Sequence, residues 1–201
     1  KRLAVGSSVA GSDTAVITFA QPFNDTPIVM ASPGQYAVTV SPYPVITRVF
    51  DVTKEGFKVI LLRQSGVTAK SVRSCDVSYV AIERGQTLDG SGHVVTVRDT
   101  TITFTSTLTN YKFFYGNDDL LANPKVLVQM QSYDVPCYSV LRTYGTGPSE
   151  YYHRVRLQTD DTNAEYGTVS STKKYTERVG YIVVSDEDGS VTTGIRNVAA
   201  T

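Results

Sequence analysis

Val77-Ser78-Tyr79-Val80-Ala81-Ile82 returns about a hundred residues later as Val179-Gly180-Tyr181-Ile182-Val183-Val184. Further stretches precede each copy in the same order. Ile17-Thr18-Phe19 and Pro27-Ile28-Val29-Met30-Ala31-Ser32 stand before the first. Ile102-Thr103-Phe104 and Pro124-Lys125-Val126-Leu127-Val128-Gln129 stand before the second. Self-similarity at one long period marks a folding unit used twice.

The unit reads as β throughout. Thirteen Tyr, seven Phe, no Trp and heavy Val and Thr usage favour strands, because branched and aromatic side chains fit a pleated, half-buried surface. Phe57-Lys58-Val59-Ile60-Leu61-Leu62 and Tyr152-His153-Arg154-Val155-Arg156-Leu157 read as strands, the second with its apolar and polar sides separated. Helical periodicity is hard to find. Turn punctuation is frequent, at Ser32-Pro33-Gly34, Lys54-Glu55-Gly56, Gly85-Gln86, Gly145-Thr146-Gly147-Pro148 and Asp188-Gly189. Short strands between such turns predict an all-β sandwich or barrel in each repeat. The 201 residues, 41% apolar, suffice for two cores.

Asp89-Gly90-Ser91-Gly92 is the natural boundary, a polar stretch echoed by Asp188-Gly189-Ser190. Repeat one is thus expected over residues 1–89, repeat two over 90–189, and a trailing strand over 190–201. In that last piece Ile195-Arg196-Asn197-Val198-Ala199 resembles Val97-Arg98-Asp99-Thr100-Thr101, so it reads as the first strand of a further unit. A lone strand carries unpaired backbone groups and has to pair with something. Either it closes repeat two as the edge of the segment, or it completes a neighbouring subunit by strand addition.

Nineteen basic and nineteen acidic residues leave no net field to draw nucleic acid or anionic lipid. No stretch reaches the roughly 20 apolar residues that a membrane-spanning helix needs, so membrane insertion is not expected. The chain starts at Lys1 without a charged-then-apolar leader and reads as a mature or excised segment. Asn24-Asp25-Thr26 is an N-glycosylation sequon in a turn-like stretch, which fits an extracellular or cell-surface protein. Cys75 and Cys137 fall one in each repeat, and either an inter-repeat disulfide or two buried thiols satisfies the sequence.

Repeat one resembles the H-type lectin family, the β-sandwich domains of snail agglutinins and discoidins. The resemblance runs in order through Ile17-Thr18-Phe19-Ala20-Gln21-Pro22-Phe23, Thr26-Pro27-Ile28-Val29-Met30, Val45-Ile46-Thr47-Arg48-Val49-Phe50, Lys54-Glu55-Gly56-Phe57 and Val77-Ser78-Tyr79-Val80-Ala81-Ile82-Glu83. Repeat two is similar but looser, with a longer insertion at Leu108 to Ala122 and a Gly-Pro loop at Tyr144 to Glu150. The resemblance implies two tandem antiparallel sandwiches, glycan binding and homo-oligomers with sugar sites at subunit interfaces. Where the family places a sugar-binding Arg and a Trp-His pair, this chain has Pro44 and Gln64-Ser65, and in repeat two Tyr138 takes the Arg place.

The candidate ligand-binding residues are Arg48, Tyr138, Arg142, Tyr144 and Tyr151. Arg48 and Arg142 occupy matching places, and a guanidinium either ties a neighbouring backbone or carboxylate or donates to an acidic sugar. Tyr144, Tyr151 and Tyr152 flank one loop, and Tyr111, Phe113, Phe114 and Tyr115 crowd the insertion. Such rings either cover the apolar face of a sugar or pack a loop onto its own domain.

No cofactor or zinc motif is found. Asp118-Asp119, Asp160-Asp161 and Asp186-Glu187-Asp188 are acidic turns, none of which forms a full calcium loop. His93 and His153 lack a Gly-x-Ser-x-Gly partner, so an enzyme is not expected. The expected function is an extracellular carbohydrate-binding or adhesive module whose partners are glycans or neighbouring subunits. The alternative is a structural subunit of a filament, surface layer or virion appendage, polymerised through its sandwiches and terminal strand.

Overall fold

A computed structural model of the protein describes residues 2–10, 14–34, 45–63, 75–88, 94–104, 111–114, 124–134, 139–143, 152–159 and 175–184. All regular structure among them is antiparallel β, without helix. The first six strands are β1 (Leu3–Ala10), β2 (Ala15–Thr18), β3 (Ile28–Pro33), β4 (Val45–Phe50), β5 (Gly56–Arg63) and β6 (Cys75–Ile82). They form two sheets, ordered β1-β6-β3 and β2-β5-β4. Alternation decides which side of each strand is buried. Val29, Val77 and Ala81 of the first sheet meet Ile17, Val49, Phe57, Val59 and Leu61 of the second in one core. Phe19, Phe23, Phe57 and Tyr79 close one part of it, with ring centroids 5.0 Å apart for Phe19–Phe23 and 5.1 Å for Phe57–Tyr79. Each such side chain, fully buried, contributes about 1.5–3 kcal/mol.

The remaining strands are β7 (Gly85–Leu88), β8 (Val94–Phe104), β9 (Tyr111–Phe114), β10 (Lys125–Met130), β11 (Ser139–Thr143), β12 (Tyr152–Thr159) and β13 (Tyr175–Val184). They give sheets β10-β13-β8-β7 and β11-β12-β9, around a core of Ile102, Phe104, Met130, Val155, Leu157, Val179, Tyr181 and Val183. With β7 set aside, β8 to β13 reproduce the order of β1 to β6. Register agrees as well: Ile28 lies opposite Ile82 as Lys125 lies opposite Val184. The repeats anticipated at Val77–Ile82 and Val179–Val184 are therefore the central strands of equivalent sheets.

Two sequence pairings need correction. Ile17-Thr18 lies on β2 and pairs with β5, whereas Ile102-Thr103-Phe104 ends β8 and pairs with β13. β8 carries its pairing with β13 through Ile102-Thr103-Phe104, so the same apolar-Thr-Phe pattern enters the two cores from opposite sheets. The true counterpart of β2 is β9, inside the stretch expected to be an insertion. Tyr111, Phe113 and Phe114 thus belong to a strand that pairs with β12, with Phe113 opposite His153.

The chain changes units around Gly85, whose φ of 113° suits glycine in the left-handed half of backbone space. β7 lies on the repeat-one side of Asp89-Gly90 in sequence, yet it hydrogen-bonds to β8 of the second unit. The trailing stretch 190–201 lies outside the described residues.

The repeats share a third apolar cluster. Ile28, Met30 and Ile82 of one outer face pack on Val95, Val97, Ile182 and Val184 of the other. Gly180 makes this approach feasible, because a Cβ there would lie 2.8 Å from Ile28 Cγ2 and 2.9 Å from Gln131 Cγ. Gly180→Ala is expected to cost about 1–3 kcal/mol by overpacking, read as a lower urea midpoint with an unchanged m-value.

Candidate functional site at the seam between the repeats

β3 is an edge strand, so alternate backbone groups face away from β6 and need partners. Two glutamines from the end of β10 supply them. Val29 N–H donates to Gln131 Oε1 at 3.0 Å, and Gln131 Nε2 donates to Val29 O at 2.7 Å. Ala31 N–H donates to Gln129 Oε1 at 2.6 Å, and Gln129 Nε2 donates to Ala31 O at 3.2 Å. Each primary amide imitates a backbone peptide, and spacing by two residues matches the strand period.

Beside this ladder Arg48 leaves β4 and enters repeat two. Its Nη1 lies 3.2 Å from Glu177 Oε1, and the two side chains are 1% and 0% exposed. The same guanidinium lies 2.9 Å from Met130 Sδ and 5.8 Å from the Tyr133 ring. Glu177 also accepts from the Ser132 hydroxyl and from Asp134 N–H at 3.2 Å. Ser132 Oγ in turn accepts from Arg178 N–H at 2.8 Å. Phe50 packs on Tyr133 at 5.4 Å alongside. A buried charge is tolerable only when it is paired and hydrogen-bonded, as the Glu177 carboxylate is here.

Farther along, Asp99 binds Arg178 and Arg84, the latter at 3.2 Å. Burial pushes the Asp99 carboxyl above its ordinary value, with Arg84 opposing that rise.

Between the repeats lies a cleft of about 250 Å³, bounded by Ala31, Ile46, Thr47 and Arg48 on one side and Gln129 and Leu141 on the other. Its walls are mostly apolar. Thr47 donates to Ala31 O at 2.7 Å and accepts from Gln129 Nε2 at 3.3 Å, so the polar edge is held in place. The volume falls below the roughly 300–1,000 Å³ of drug-sized sites and suits a single ring.

Of the residues anticipated from sequence, Arg48 reaches this seam but is buried against Glu177. Arg142 stands on β11 opposite Arg156 of β12, the register place of Arg48 opposite Ile60. Tyr138, Tyr144 and Tyr151 lie outside the described residues, as do Pro44, Gln64-Ser65, His93, Cys137 and the three acidic turns. Cys75 opens β6 opposite Ala10. Asn24 is exposed in a bend, as a sequon requires. Among the described residues no group of three His, Cys, Asp or Glu could hold a metal, and no helix is long and apolar enough to cross a membrane.

The seam residues Gln129, Gln131, Ser132 and Glu177 were not anticipated. For Glu177 a signal existed: it shares the inward parity of Val179, Tyr181 and Val183, where a carboxylate is out of place without a partner. No protein-family model, no curated protein and no solved structure matches the chain.

Proposed function

We propose that the chain is a non-enzymatic, extracellular or cell-surface module for carbohydrate binding or adhesion, built on two tandem H-type-lectin-like sandwiches. The cleft at the seam carries this reading, because it is lined from both repeats and pairs an apolar wall with a fixed polar edge. A sugar ring offers the complement: C–H groups for Ile46 and Leu141, hydroxyls for Thr47 and Gln129. The exposed sequon at Asn24 fits the same compartment. Shallow single-ring sites bind weakly, so useful avidity comes from several copies acting together.

The test is a broad glycan array probed with the chain displayed at high valency. Binding is expected for a restricted sugar class and is lost in Ile46→Trp, which fills the cleft from the outward side of β4. No sugar above background ends the proposal. Binding that Ile46→Trp leaves unchanged moves the site away from the seam.

A further inference from the structure

The outer face of sheet β1-β6-β3 shows what its counterpart in repeat two does with the same positions. By register, Leu3 is the equivalent of Val95 and Val5 of Val97, since these pairs lie opposite Ile82 and Val184, and Val80 and Ile182. In repeat two, Val95 and Val97 are covered by repeat one, and Val97 is fully buried. In repeat one, Leu3 and Val5 are 60% and 67% exposed. The edge differs likewise. β8 is paired over Val94–Val97 by β7, whereas among the described residues no strand pairs with β1 on the side away from β6.

Exposed edges are ordinarily guarded by charge, proline or a bulge. β1 reads Leu-Ala-Val-Gly-Ser-Ser-Val-Ala over Leu3–Ala10, with neither a charged residue nor a proline. Its apolar face continues across the sheet into a groove of about 420 Å³ lined by Met30, Val80, Ile82, Leu127 and Ile182. That groove adjoins the inter-repeat cluster, so the surface extends an interface the chain already makes with itself. A formal net charge of zero sets up no long-range repulsion between copies.

We propose that the β1 edge pairs with a second copy of this chain. The two β1 strands meet antiparallel across a two-fold axis, giving one six-stranded sheet ordered β3-β6-β1-β1-β6-β3. Two-fold contacts of this self-complementary kind are the commonest in homo-oligomers. The proposal does not depend on glycan binding.

Sedimentation velocity over a concentration series tests it on the full 201-residue chain. The expected result is a reversible monomer–dimer equilibrium in the micromolar range. Val5→Lys should weaken it about 10-fold or more, because it sets a charge on each of two facing edges that now carry none. Val16→Lys, an equally exposed apolar position on β2, should leave it unchanged. Hydrogen exchange supplies a readout that needs no variant: amides of Leu3–Ala10 should gain protection as concentration rises. A chain that stays monomeric at its highest soluble concentration overturns the proposal. So does association that Val5→Lys tolerates, or that leaves β1 amides unprotected.

Discussion

Glu177→Ala is expected to destabilise the protein by about 3–5 kcal/mol, because it takes the facing carboxylate away from the Arg48 guanidinium in a site that is 1% exposed. The loss is larger than a surface ion pair could give, since exposed pairs contribute only about 0–1 kcal/mol. It has a second signature. Arg48 belongs to β4 of one repeat and Glu177 to β13 of the other, so the change acts on their joint as well as on a core. Urea unfolding followed separately by tyrosine fluorescence and backbone circular dichroism should show one shared transition in the native chain. In Glu177→Ala that transition should move to lower urea and broaden or divide. The double variant Arg48→Met/Glu177→Leu should recover most of the loss, because replacing both charges removes the desolvation cost along with the attraction. A Glu177→Ala protein within about 1 kcal/mol of native would show that the pair adds no more than an exposed one.

Gln131→Ala is expected to cost about 2–4 kcal/mol. The substitution removes one side chain but orphans the N–H and the C=O of Val29, and each unsatisfied buried group costs about 1–3 kcal/mol. Gln131 is only 2% exposed, which leaves water little room to substitute. Gln129→Ala makes the informative comparison. It breaks the same pair of bonds at Ala31 in a half-buried setting, so the expected loss is smaller, about 1–2 kcal/mol. Chemical denaturation of the two variants side by side gives the difference. Equal effects would mean that burial does not set the strength of this ladder. In Gln131→Ala, faster exchange of the Val29 amide would tie the loss to the β3 edge.

These seam residues also explain why the repeat pattern could not reveal its own joint. By register, Gly180 corresponds to Ser78, Glu177 to Cys75, Gln129 to Ser32 and Gln131 to Gly34. Each repeat plays one side of the contact, so the joint lies where the two sequences differ. Comparing them highlights what they share, which is the inward-facing set: Val77 with Val179, Tyr79 with Tyr181, Ala81 with Val183. Arg48 and Arg142 were legible as a matched pair, and the two uses of a strand arginine were both in view. Only the arrangement of the sheets brings a carboxylate to one of them.

Strand-favouring composition, alternation and turn spacing made the all-β class legible, and self-similarity made the repeated order of strands legible, because all of these are local properties of the chain. They misplaced Ile102-Thr103-Phe104 and read β9 as an insertion, since a short apolar run carries no label saying which sheet will take it. Outward-facing Gln129 and Gln131 look solvated for the same reason. A polar residue on a strand's outer side is read as wet until some distant element is shown to cover it. The sequence by itself determined the strand-rich class and the repeated order of its strands. The tertiary structure alone decided what covers each face, because strand pairing and sheet contact join residues more than a hundred positions apart, 129 in the case of Arg48 and Glu177.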